Sequence, residues 1–130
     1  MTAIEAVERA DLPADGIPVD DVHEVARQLV SHLGPTLVAA LAGATDRARA
    51  IEWAKPDGPE PPPDAARRLQ LAHRVWTHIA VAENEHTARA WFIGGNPLLG
   101  EDTPLTAIRE DRAREVMAAV RALLEDRPDV

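Results

Sequence analysis

From Val19 the apolar residues recur at steps of three and four, as Val19, Val22, Ala26, Leu29 and Leu33. That spacing lines one face of a helix. Pro18 suits its first turn and Gly34 its stop. A second helix is expected from Pro35 to Ala42, and Gly43-Ala44 breaks it. Thr45 is placed to cap a third helix running to about Lys55, with Asp46 favourable in its first turn. Five prolines then lie between Pro56 and Pro63, a density that no helix or central strand survives. Asp64 is placed to cap a long helix to about Ala82, with Leu69, Ala72, Trp76, Ile79 and Ala80 on one face. Asn84 caps the next, Glu85 to Ile93, which Gly94-Gly95-Asn96-Pro97 ends. A loop over 96–103 leads to Thr103-Pro104, which opens a short helix to about Arg109. The last helix is expected from about Asp111 to Glu125, with Ala113, Val116, Val120, Leu123 and Leu124 facing inward. No segment sustains the alternation of a strand and no long repeat occurs, so the expected class is all-α.

The first residues differ. Over 1–17 the periodicity is weak and two turn signals stand out, Leu12-Pro13 and Gly16-Ile17-Pro18. They are expected to form a loose arm with a short helix at Ile4–Ala10. The organisation read from the chain is an arm over 1–17, a helical unit over 18–55, a stiff Pro-rich linker over 56–63 and a helical domain over 64–130.

Charge and composition narrow the chemistry. The 130 residues carry 22 acids against 14 basic residues, a net charge of −8. That balance disfavours strong binding to a phosphate backbone. The acid sits mostly at the two ends, however, and residues 34–63 are close to neutral. The absence of Cys excludes disulfides and thiolate zinc sites. With no Tyr and one Ser (Ser31), hydroxyl nucleophiles are scarce. Three Trp and one Phe are too few for a single-strand stacking platform. No run is long and apolar enough for a membrane span and no signal peptide is visible, so a cytoplasmic protein is expected.

No catalytic constellation emerges. A metal site would have to join His78, Glu83 and His86, yet no HExxH motif and no carboxylate–His pair at i, i+4 spacing occurs. His23, His32 and His73 read as ordinary helix histidines. No nucleophile elbow, P-loop or dinucleotide fingerprint is present, and the acidic pairs Asp20-Asp21, Glu101-Asp102 and Glu110-Asp111 suit caps and solvated turns. The expectation is a non-enzyme without metal or cofactor. Pro35–Lys55 reads as helix, tight break, helix, in which Ala40, Gly43-Ala44, Ala50, Ile51 and Trp53 can fill the inward places of a helix-turn-helix. Arg47, Arg49 and Lys55 would then reach DNA. The same spacing also describes an αα-hairpin kept for packing or dimerisation, and Asp46 and Glu52 would repel phosphate.

Residues 85–125 carry the sharpest signal. Trp91 is a large apolar residue at a helix end. If its ring is buried, removing it should cost roughly 3 kcal/mol or more. Pro97 and Pro104 fix φ at both ends of a loop that holds Leu98-Leu99. Apolar residues in such a loop must either be buried or bury a partner. The run Ala88, Trp91-Phe92, Asn96-Pro97, Leu99-Gly100, Thr103-Pro104-Leu105, Ile108, Val116, Val120 and Leu123 resembles, in order and gaps, the toxin-binding domain of the Xre/MbcA/ParS-like antitoxins. That family places a small helix-turn-helix ahead of this domain, where Pro35–Lys55 lies. The resemblance implies an antitoxin paired with a RES-domain toxin, one that degrades NAD or ADP-ribosylates a target. It implies occlusion of the toxin's active site through Trp91, Asn96, Pro97, Leu98, Leu99, Gly100, Thr103 and the tail residue Arg127. It further implies a homodimer or a hetero-oligomer with toxin, and binding of the complex to its operator DNA. Family members often end in a Gly-containing segment, whereas this chain ends in Arg127-Pro128-Asp129-Val130. Two other readings stay open, a helix-turn-helix transcription regulator and a helical interaction module without a toxin.

Overall fold

The computed structural model describes residues 21–125, and among them every regular element is helical. The helices are α1 (Val22–Leu33), α2 (Pro35–Ala42), α3 (Arg47–Trp53), α4 (Pro63–Ala82), α5 (Glu85–Ile93), α6 (Pro104–Arg109) and α7 (Ala113–Glu125), with a 3-10 turn at Pro97–Leu99. The expected arm over 1–17, the Pro18-Val19 opening of the first helix and the tail residue Arg127 lie outside the described residues.

Local chemistry sets the boundaries. The Asp21 carboxylate accepts the Glu24 N–H at 3.2 Å and caps α1. Gly43 ends α2 in the left-handed region, φ 91°. Its N–H donates to Ala40 O, and the Ala44 N–H to Ala39 O at 2.9 Å. This paired closure is a Schellman motif. The cap of α3 is Asp46 and not Thr45. The Asp46 carboxylate accepts the Ala48 N–H at 2.9 Å, so the helix starts at Arg47 and stops at Trp53, short of Lys55. α4 opens on Pro63 with Pro62 in the cap position, and Asp64 falls in its first turn instead of capping it. Proline can hold that first position because its φ is preset and its missing N–H would have had no partner.

A second Schellman closure shifts the last helix. Asp111 takes a left-handed φ of 63° without being glycine. Its N–H donates to Ile108 O, and the Arg112 N–H to Ala107 O. α7 therefore begins at Ala113, two residues later than the periodicity suggests, and Ala113 is exposed, not inward. Ile51 also departs from expectation. It is 40% exposed, while Ala50 and Trp53 of the same helix are buried.

The helices on both sides of the Pro-rich break share one core. Val25, Leu29, Leu33, Val38, Leu41 and Trp53 before it join Leu69, Val75, Ile79, Phe92, Ile108, Val116 and Val120 after it. Pro61 of the break is itself buried. Each fully buried aliphatic or aromatic side chain contributes about 1.5–3 kcal/mol of transfer free energy. The buried polar pair is satisfied as well. The Thr77 hydroxyl donates to His73 O at 2.9 Å, and His73 Nε2 is 3.0 Å from Gln28 Oε1.

One guanidinium ties three elements together. Arg68 on α4 donates through Nη1 to Ala42 O at the end of α2, at 2.9 Å. Its Nε and Nη2 fork onto both Asp111 oxygens at 3.0 and 2.8 Å, and Arg67 adds a bond at 3.0 Å. The hydrogen bonds from Arg68 and then Arg67 hold the Asp111 carboxyl well below its ordinary range, at about 2. A depressed carboxylate stabilises the fold above its unfolded value near 3.8, and that contribution fades as pH falls toward 2. Asp111→Asn should therefore melt below the wild type at neutral pH, and the gap should close between about pH 4 and pH 2. A gap in melting temperature that stayed constant over this interval would contradict the assignment.

Candidate functional site

The segment from α5 to the start of α7 leaves two large apolar residues exposed, Ile93 and Leu98. Asn84 caps α5 through the Thr87 N–H at 2.7 Å. At the far end of the helix Phe92 is fully buried, its ring 6.2 Å from Trp76 and 5.8 Å from Trp91, nearly perpendicular to the latter. Trp91 is only part-buried, and Ile93 beside it is 49% exposed.

The loop that follows is closed on itself by Asn96. Its side-chain oxygen accepts the Leu98 N–H at 2.9 Å, and its carbonyl accepts Leu99 and Glu101 N–H, both at 2.9 Å. Its own N–H donates to Asp102 O at 3.1 Å. The chain turns through two successive left-handed residues, Gly100 at φ 66° and Glu101 at φ 72°. Gly95 passes so close that a Cβ there would sit 3.1 Å from Glu101 O. Within this frame Leu99 is fully buried and Leu98 is 59% exposed. Thr103 then caps α6, accepting the Thr106 N–H at 3.1 Å.

Arg112 pins the loop from the α7 side. Nη2 donates to Leu99 O at 3.2 Å and to Glu115 at 2.8 Å, while Nη1 reaches Asp102 at 3.0 Å and Glu110 at 3.4 Å. These carboxylates, Glu115 first, raise the guanidinium's pKa, and Arg112 in turn lowers that of Glu115.

The sequence-assigned residues thus divide by role. Pro97, Leu98 and Gly100 are exposed on the loop, whereas Asn96 and Thr103 build it and Leu99 anchors it. Trp91 sits at the edge of the core. Phe92, Ile93 and Arg112 were not singled out from sequence for these roles. Ile93, an apolar residue ending a helix before Gly-Gly, was the readable hint.

The three basic residues assigned to DNA lie on α3 or just after it. Arg47, Arg49 and Lys55 are all exposed, but Arg47 and Arg49 are two apart on α3 and project to different sides. Arg49 borders a groove of about 440 Å³ together with Trp53, Glu60, Asp64 and Arg68. Among the described residues no group of three or more His, Asp and Glu is placed to hold a metal ion, and no helix is long and apolar enough to cross a membrane. No protein-family model, curated protein or solved structure matches the chain.

Proposed function

We propose that the chain is a cytoplasmic antitoxin that neutralises a RES-type toxin by seating the α5–α6 loop in the toxin's active-site cleft. The observation that supports this reading is the exposure of Leu98 on a loop whose backbone is already fixed by Asn96, Arg112 and the buried Leu99. A preordered loop loses little entropy on docking, so its apolar surface converts efficiently into affinity. The resemblance of residues 85–125 to that antitoxin family supports a RES-type toxin as the partner. The chain contributes no chemistry in this reading. It excludes substrate from the cleft.

Purified toxin consuming NAD tests the reading, with this protein added in increasing amounts. Stoichiometric protein should abolish NAD consumption. Leu98→Glu should weaken binding by about 1.4 kcal/mol or more, which is tenfold. Its unfolding free energy should stay within about 0.5 kcal/mol of the wild type, because the side chain packs little in the free protein. Full toxin activity at an excess of wild-type protein would end the proposal.

A further inference from the structure

The surroundings of Leu98 specify the kind of surface it fits. Arg112 gathers Asp102, Glu110 and Glu115 about one guanidinium, so that three carboxylates share a single cation next to Leu99. Glu101 is exposed beside them and forms no ion pair among the described residues. Arg109 and Arg114 are exposed as well, and Asp111 is turned to Arg67 and Arg68 of α4, so the remaining charges of residues 101–115 are four acids against three arginines. Ile93 and Leu98, both exposed, therefore precede a segment with a small surplus of negative charge.

We infer that the partner surface receiving Ile93 and Leu98 is a protein cleft with an apolar floor and a cationic rim, onto which Glu101 and the Arg112-bound carboxylates steer. The inference rests on the antitoxin reading and adds the partner's chemistry to it. A cleft that binds NAD must accommodate a pyrophosphate, which calls for cations or helix N-termini at its mouth. The surplus carboxylates complement such a rim. Arg112 holds three of them in place before docking, so little side-chain freedom is lost on contact.

Association kinetics with a purified RES-type toxin test the idea. Wild-type association should slow severalfold as salt rises, since steering by exposed charge is screened. Glu101→Lys should lower the association rate about fivefold at low salt and leave dissociation within about twofold. Asp57→Lys, an equal change of net charge in the Pro-rich segment, should leave association within about twofold. A complex that forms at a salt-independent rate, or one in which Glu101→Lys behaves like Asp57→Lys, overturns this inference and leaves the antitoxin reading standing. If wild-type protein and toxin form no complex at all, both fall together.

Discussion

Phe92→Ala is expected to lower unfolding free energy by about 3–5 kcal/mol, the largest loss from any one side chain around the loop. The ring is fully buried between Trp76 and Trp91. Its removal would leave a cavity bordered by both indoles and forfeit two aromatic contacts. Since a domain of this size is stable by only about 5–15 kcal/mol, much of the margin would go. Trp91→Ala should cost less, about 1–2 kcal/mol, because its ring is part-buried and gives up less apolar surface. Urea unfolding of both variants separates them. Equal losses would show that Trp91 anchors the end of α5 as much as Phe92 does. Sequence alone pointed to Trp91, since the larger ring beside a helix stop is the natural anchor. Only the packing against Trp76 shows that the neighbouring position points inward.

Gly43→Ala should cost about 2.5–5 kcal/mol, through two separable effects. A side chain at φ 91° carries left-handed strain of about 1–2 kcal/mol. The added Cβ would also stand 2.5 Å from Arg68 Nη1. That atom is the end of a long side chain, but it is fixed by the bond to Ala42 O and by the fork on Asp111. To make room, Arg68 must release the Ala42 carbonyl, a charged hydrogen bond worth about 1.5–3 kcal/mol. Gly100→Ala is the comparison. Its φ of 66° and ψ of 32° lie in the same left-handed region, and nothing lies within 4 Å of the new Cβ. Gly100→Ala should therefore lose only the strain. Matching losses at the two positions would mean that the Arg68 contact with the end of α2 contributes nothing.

Much of the helical fold was legible in the sequence because its boundaries are written in local chemistry. Pro35, Asn84 and Thr103 open their helices where the residue types require, and Gly43 closes α2. The departures have two causes. Asp111 takes the left-handed place that glycine usually fills, held there by Arg67 and Arg68 from a distant helix. No pattern over neighbouring residues reveals that, so periodicity places the start of α7 two residues early and Ala113 on its inward face. Thr45 and Asp46 are both competent caps in adjacent positions, and periodicity cannot choose between them. In the candidate site the loop and its leucines were visible in sequence. Which leucine faces out was not, because that depends on the turn made by Asn96 and on Arg112 reaching back to Leu99 O.

The core that runs across the Pro-rich break has a consequence for dividing the chain. The break at residues 56–62 looks like a place to cut, but α2 packs on both α4 and α6 beyond it. A chain split there would bare Val38 and Leu41 on one piece and Leu69 and Ile108 on the other. Each piece would carry half of an interior and a strong preference for its missing half. Such pieces form a complementation pair, whose reassembly reports that both halves are present.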